Sequence, residues 1–201
     1  MHFIGITGGV GSGKSEILKY IRKHYKCEIY LADEIGHAVK EPGTEGYRAL
    51  VELLGEGILA PDGTIDKQTM AARIFTDAAL LEQVNGIIHP AVRKFLMERL
   101  EAAEKRRDVE LFFVEAALLI ETGYGDVVDE MWYIYAKEDV RRDRLAASRG
   151  YSPEKINQII QSQLSEEDFR KHCDFVIDNS GRLEDSYRQI RQKLEAYTWK
   201  E

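Results

Sequence analysis

The residues whose types and spacing could do chemistry stand near the start of the chain, in the stretch GITGGVGSGKSE. Gly8 is followed by four residues and then by Gly13, Lys14 and Ser15. Glycines at this spacing let a loop turn its backbone N–H groups toward an anion. The lysine can reach the outer phosphates of a nucleotide, and the serine hydroxyl can hold Mg²⁺. The spacing therefore predicts a phosphate-binding loop.

The segments on either side of the loop agree with that prediction. HFIGIT before it is a short apolar run typical of a buried strand, and KSEILKYIRKHY after it carries apolar residues at helical spacing. The alternative is a glycine-rich turn with a chance Lys-Ser pair, but the full spacing and the flanks favour phosphates bound at a helix N-terminus. The residues expected to bind the nucleotide are Gly9, Val10, Gly11, Ser12, Gly13, Lys14, Ser15 and Glu16.

Two acidic residues occur where apolar strand candidates end. Asp33 ends CEIYLAD, and the carboxyl ends of parallel strands face the ligand crevice. A carboxylate there can orient or deprotonate an acceptor hydroxyl, cap the next helix, or do both. Glu115 interrupts LFFVEAALL, where a buried carboxylate is costly unless it is paired or bound to a cation. We favour a place near Mg²⁺, together with Ser15, over a structural salt bridge.

The segment RRDRLAASRG concentrates positive charge on a predicted helix. Arg141 and Arg144 are three residues apart and share a face, whereas Arg142 points elsewhere and Arg149 falls at the helix end. Such a run is either a solvated face or a source of arginines that neutralise a transferred phosphoryl group. Arg144 and Arg149 are the candidates for the second role.

Composition and charge narrow the class of protein. The chain has 201 residues, 44% hydrophobic and 31% charged, which suits one domain with a sizeable core. The net charge of −7 disfavours a nucleic-acid partner. We find neither a signal peptide nor an apolar run long enough to span a bilayer, so we expect a cytoplasmic protein with no membrane partner. The sequence also lacks the Asn-Lys-x-Asp motif that GTPases use, which favours a small-molecule kinase.

Strand and helix patterns alternate along the chain and predict an α/β fold, a five-stranded parallel sheet flanked by helices. Residues 66–107 are largely helical with a breaker at His89-Pro90, and Pro90 is expected to start or kink a helix. His89 is expected to cap a helix rather than contact a substrate phosphate. A last helix is expected from Leu183 to Trp199. The predicted parts of this single domain are a core of about 1–40, 108–138 and 173–201, a helical lobe of about 41–107 and a lid of about 139–172.

Taken in order, these pieces resemble the dephospho-coenzyme A kinase family over nearly the whole chain. The resemblance is carried by GITGGVGSGKS, AD with IGHAV behind it, IIHPAVR, VEAALLIETG, RRDRLAASRG, Gln163 and CDFVIDNSG. It implies the P-loop NTPase fold and transfer of the γ-phosphoryl group of ATP, with Mg²⁺, to the ribose 3′-hydroxyl of dephospho-CoA, the last step of coenzyme A biosynthesis. A kinase of another small acceptor, such as a nucleoside monophosphate, is the alternative.

The resemblance also implies roles for individual residues. Asp33 would be the catalytic carboxylate, with Lys14 and Arg144 acting on the transferred phosphoryl group. The residues that would contact ATP beyond the loop are Arg149 and, near the adenine, Asn179. The residues that would line the substrate region of the helical lobe and the crevice are Asp33, Arg73, Phe75, His89 and Glu115.

The chain departs from the family pattern in ways that matter for the site. Glu115 stands where the family often has Asp, Glu16 where it commonly has Thr, and Phe169 where a basic residue is often found. The first departure keeps the charge, and the second costs little because an acid suits a helix N-terminus. The third changes the contacts expected of the lid.

Overall fold

The computed structural model describes residues 1–75 and 77–198 of the chain. Within them, five strands form one sheet in the order β2-β3-β1-β4-β5, and the pairs β1–β3, β1–β4 and β4–β5 are parallel. The predicted α/β fold with a five-stranded parallel sheet is confirmed. The strands are β1 (His2–Thr7), β2 (Cys27–Leu31), β3 (Leu111–Glu115), β4 (Glu130–Tyr135) and β5 (Phe175–Asp178).

Helices connect the strands, and their ends carry the expected signals. Ser152 caps the helix that begins at Pro153 by accepting a hydrogen bond from the backbone N–H of Lys155, and Gly150 ends the preceding helix in the left-handed conformation. The described helices are α1 (Lys14–His24), α2 (Ala32–Ala38), α3 (Glu45–Leu54), α4 (Lys67–Phe75), α5 (Ala78–Arg106), α6 (Glu138–Arg149), α7 (Pro153–Gln161), α8 (Glu166–His172) and α9 (Leu183–Thr198). None of them combines the length and apolar character that crossing a membrane requires.

The chain divides into two compact units, and the larger one contains Met1–Ile29 and Arg107–Glu201. The middle of its sheet is apolar throughout, with Phe112, Phe113 and Trp132 fully buried. Burial on both faces is what a parallel sheet covered by helices requires. The register of β1 on β3 sets Ile6 opposite Glu115 and so brings that carboxylate to the strand end.

The second unit, Tyr30–Arg106, is helical and has a core of its own. This compact unit starts at Tyr30, because α2 packs on α5 and the Tyr30 ring meets Phe95. The bounds and the roles of the core, the lobe and the lid stay predictions. The expected end of the last helix at Trp199 lies outside the described residues. The buried residues of the helical core are Leu50, Leu54, Ile58, Met70 and Val84.

Pro90 does not start a helix, because α5 continues through His89 and Pro90. The alternative, a kink at Pro90, stays a prediction. Proline in a helix removes a hydrogen bond and crowds the carbonyl four residues earlier, at a cost of about 3 kcal/mol. Here that earlier residue is Gly86, and the helix is held on both sides of the proline by buried side chains, among them Val84 and Val92. Burial of the apolar face therefore outweighs the local penalty.

The loop between β1 and α1 depends on a glycine at position 13. Gly13 has a φ of 90°, and a Cβ there would clash with the side-chain amide of Asn179. Gly123 is a matched control, since its φ is 74° and nothing lies within 4 Å of a Cβ.

We expect Gly123→Ala to lower the free energy of unfolding by about 1–2 kcal/mol, the cost of a left-handed non-glycine residue. Gly13→Ala should lower the free energy of unfolding by more than Gly123→Ala does. It should also weaken ATP binding, because the loop must shift to relieve the clash with Asn179. Urea unfolding and ATP titration of both variants measure this. Wild-type ATP affinity in Gly13→Ala would show that the loop does not need this close contact.

Candidate active site

The loop between β1 and α1 is held from outside at its carbonyl oxygens. Lys14 Nζ donates a hydrogen bond to the carbonyl oxygen of Gly8 at 2.7 Å, and Arg141 Nε donates to that of Val10 at 2.9 Å. Lys14 is the first residue of α1, and Arg141 lies in the first turn of α6. The two helix starts therefore fix the path of the loop.

Arg144 and Asn179 hold the second half of the same loop. Arg144 Nη1 donates to the carbonyl oxygens of Gly11 at 3.4 Å and Ser12 at 3.2 Å, and its Nη2 donates to the Asn179 carbonyl at 2.8 Å. Asn179 Nδ2 donates to the Ser12 carbonyl at 2.7 Å, and Asn179 Oδ1 accepts from Ser186 Oγ at 2.9 Å. Because its side chain is buried and engaged at both ends, Asn179 supports the loop; its expected place near the adenine stays a prediction.

Lys14 also pairs with Glu115 at the end of β3. Its Nζ lies 3.6 Å from Glu115 Oε1, and the two side chains are only 15% and 17% exposed. The salt bridge that we ranked second for Glu115 is therefore present, and its partner is the lysine of the phosphate-binding loop. This pairing neutralises a partly buried carboxylate. A role for Glu115 near a metal ion stays a prediction.

The donors near the loop suit Mg²⁺, a hard cation that takes oxygen ligands and keeps several waters. Ser15 is exposed in the first turn of α1, and Glu115 offers a carboxylate at the strand end. Among residues 1–75 and 77–198, no group of three or more His, Cys, Asp or Glu side chains could hold a metal ion.

The remaining residues of the predicted lid pack on aromatic rings. Arg149 ends α6, where its guanidinium lies 5.9 Å from the centre of the Tyr151 ring. Phe169, at the position where the family often has a basic residue, is buried and stacks on Tyr133 with ring centroids 4.6 Å apart. The guanidinium of its neighbour Arg170 lies over the ring of Tyr135 and pairs with the carboxylate of Glu166. In this segment aromatic packing takes the place of a charged side chain.

Sequence reasoning assigned no role to Arg141 or Gln163, although it noted both. Arg141 Nη2 donates to Gln163 Oε1 at 2.6 Å, and the backbone N–H of Val10 donates to the same oxygen at 3.2 Å. The signal available in the sequence was the spacing that sets Arg141 on the same helix face as Arg144. Nothing in the sequence indicates that Gln163, beyond the end of α7, reaches the loop.

In the helical unit, the predicted substrate residues are exposed. Asp33 is the second residue of α2, and the N-cap position is Leu31, so the alternative in which Asp33 caps the helix is wrong. Arg73 and Phe75 lie in the last turn of α4, with Phe75 88% exposed. His89 lies inside α5, so it does not cap a helix as we had expected. Direct contact of these residues with a substrate stays a prediction.

The helical unit also contains a cavity of about 350 Å³ that sequence reasoning missed. Lys40 is half-buried in it, and the pKa of its ammonium is lowered first by burial and then by the nearby charge of Lys67. Within the described residues, neither ammonium group takes part in an ion pair. The ammonium groups of Lys40 and Lys67, in a cavity that apolar side chains also line, suit an anionic ligand with an apolar part. The lining residues are His37, Lys40, Glu41, Thr64, Ile65, Lys67, Met70, Ala71 and Ile74.

Comparison with known proteins agrees with this site. The family model for dephospho-CoA kinase matches residues 2–185. The chain is 36% identical over 193 residues to a dephospho-CoA kinase of Geobacter sulfurreducens, covering 96% of each sequence. A crystal structure of TT1252 from Thermus thermophilus aligns with a TM-score of 0.80 and 30% identity over 97% of both chains. A dephospho-CoA kinase from Campylobacter jejuni, 20% identical with a TM-score of 0.71, shares the fold over 96% of this chain and 95% of that one.

These matches extend over the loop, the strand ends and the helical unit alike. The architecture is the P-loop NTPase fold, and the chain is a kinase that uses a nucleotide and a small-molecule substrate. With a family model that matches nearly its whole length and relatives above 30% identity, the chain belongs to the dephospho-CoA kinase family.

Proposed function

We propose that this enzyme transfers the γ-phosphoryl group of ATP to the ribose 3′-hydroxyl of dephospho-CoA, giving CoA and ADP in the last step of coenzyme A biosynthesis. The observation that carries the proposal is the position of Lys14, whose ammonium lies between the loop carbonyl of Gly8 and the carboxylate of Glu115. The ammonium of Lys14 and the carboxylate of Glu115, at the end of the neighbouring strand β3, thus form an ion pair before any substrate binds. A cytoplasmic location stays a prediction.

The reaction needs a nucleophile, charge neutralisation and a route for one proton. The 3′-hydroxyl oxygen forms a bond to the γ-phosphorus while the bond from that phosphorus to the β-γ bridging oxygen breaks, and ADP leaves. Asp33 orients the hydroxyl and takes its proton. The exposed carboxylate of Asp33 fits this role, since it is accessible to a substrate from solvent.

The loop and its cations stabilise the charge on the phosphates. Lys14 interacts with the outer phosphates, the backbone of residues 9–16 surrounds the phosphate chain, and Arg144 keeps that backbone in place through its bonds to two loop carbonyls. Ser15 and Glu115 would hold Mg²⁺ directly or through water. When bound, Mg²⁺ neutralises negative charge on the phosphate oxygens.

We further propose that the cavity at Lys40 and Lys67 binds an anionic part of dephospho-CoA. The substrate carries a diphosphate joined to a long pantetheine arm, and the cavity combines two cations with apolar residues such as Ile65 and Ile74. The helical unit itself would then supply both the positive charge for the diphosphate and the apolar contact for the pantetheine arm.

A coupled assay of ADP release with and without dephospho-CoA tests the reaction. We expect ADP release to depend on dephospho-CoA and to be lost in Lys14→Ala, because that variant lacks the cation that contacts the outer phosphates. A panel with nucleoside monophosphates serves as the control for acceptor class. Faster release with one of those acceptors would contradict the assignment of dephospho-CoA as the substrate.

Asp33→Asn should lower kcat by about 10²–10⁴-fold, because the amide keeps the shape of the side chain but cannot take the proton. ATP affinity, measured by titration without acceptor, should stay close to that of the wild type. Glu34→Gln is the matched control, since Glu34 is the adjacent exposed acid of α2 and should keep full activity. A near-normal kcat in Asp33→Asn would rule out the catalytic role.

Lys40→Met should raise the KM for dephospho-CoA by about tenfold, the loss expected for one charge-assisted hydrogen bond, with little change in the KM for ATP. Lys105→Met is the control, because Lys105 lies at the end of α5 and pairs with Glu101 on the surface. An equal rise in both KM values, or none, would mean that the cavity does not bind the substrate.

A further inference from the structure

One side-chain oxygen contacts both the phosphate-binding loop and its nearest arginine. Gln163 Oε1 accepts a hydrogen bond from the backbone N–H of Val10 at 3.2 Å and another from Arg141 Nη2 at 2.6 Å. Arg141 Nε donates to the Val10 carbonyl at 2.9 Å. Both backbone groups of Val10 are therefore bonded to these two side chains.

The backbone of the loop leaves room for this arrangement at Gly9. A Cβ at Gly9 would lie 2.9 Å from Gln163 Oε1 and would clash with the Arg141 guanidinium. Glycine therefore lets the amide and the guanidinium approach the backbone closely. The close approach brings two strong donors, one main-chain and one cationic, to a single point beside the loop.

A main-chain N–H and a guanidinium that converge on one oxygen are the donors by which proteins recognise a phosphate oxygen. Arg141 is half-buried, and burial lowers the pKa of its guanidinium, which nevertheless remains charged at neutral pH. A phosphate oxygen is a stronger acceptor than the neutral amide oxygen of Gln163, because hydrogen bonds to charged acceptors are shorter and stronger.

The two arginines that the sequence predicted near the phosphates are engaged differently. Arg144 donates to three main-chain carbonyls, and Arg149 lies over the Tyr151 ring. Only part of the Arg141 guanidinium is bonded to backbone, since its Nη2 donates to the side chain of Gln163.

We propose that Arg141 and the Val10 N–H bind a phosphate oxygen of ATP, and that Gln163 competes with ATP for this pair of donors. The inference rests on the proposed function, since it requires that the loop binds ATP. Gln163 therefore weakens nucleotide binding. When a phosphate oxygen displaces the Gln163 oxygen, the turn between α7 and α8 is released from the loop.

Titration of the full-length protein with ATP, without acceptor, tests the competition. Gln163→Ala removes the competing oxygen, so the Kd for ATP should fall by about three- to tenfold, the value of one or two net hydrogen bonds. Gln163→Glu should raise the Kd by about tenfold or more, because a carboxylate pairs more strongly with Arg141. Gln161→Ala is the control, since Gln161 is an exposed residue at the end of α7 and should leave the Kd unchanged.

A second experiment removes Arg141 and so tests whether Gln163 acts through this residue. Arg141→Ala should weaken ATP binding, and Gln163→Ala in that background should give little or none of its tightening. If the wild type binds ATP but Gln163→Ala leaves the Kd unchanged or raises it, the competition is overturned while the proposed function stands. Tightening that persists without Arg141 also overturns it. Wild-type protein that fails to bind ATP would instead overturn the proposed function together with this inference.

Discussion

Most carbonyl oxygens of the phosphate-binding loop are satisfied by side chains from outside it, and the rest of the site depends on that constraint. Within the loop, the Gly9 carbonyl accepts from the Ser12 N–H at 3.1 Å. A loop that offers its other N–H groups to an anion leaves its remaining carbonyls without such partners, and an unpaired buried carbonyl is costly. Lys14, Arg141 and Arg144 donate to four loop carbonyls, and Asn179 adds a second bond to one of them. The starts of α1 and α6 and the residue after β5 are thus fixed by a single short loop.

The same constraint sets the local electrostatics. Three cations meet at the loop of a chain with a net charge of −7, so the overall charge, which argues against nucleic acid, does not describe the potential at this site. Glu115 counters one of these charges through its ion pair with Lys14. A cation that is bonded to a carbonyl is also oriented, so little reorganisation is needed when a phosphate binds.

The sequence predicted the features that local rules control. Spacing identified the loop, apolar runs identified the strands, and the interruption at Glu115 marked a strand end. It failed where tertiary packing decides the outcome. Pro90 lies inside α5 because the apolar face is buried on both sides of it, and Asp33 lies past the cap position because β2 ends at Leu31. The approach of Gln163 to the loop, across more than 150 residues of sequence, follows from no local pattern.

Packing also decides which part of the α7–α8 segment can move. Phe169 is buried in a stack on Tyr133, and burial raises the pKa of that tyrosine to about 12, so α8 is attached to β4 by apolar contact in a dry environment. Gln163 is attached to the loop by one hydrogen bond, from the Val10 N–H, and its oxygen accepts a second from the Arg141 guanidinium of α6. A single hydrogen bond to a neutral acceptor has a modest net strength. Aromatic burial is the stronger attachment of the two. Movement in response to a nucleotide is therefore expected at the turn before α8, with α8 itself remaining on the sheet.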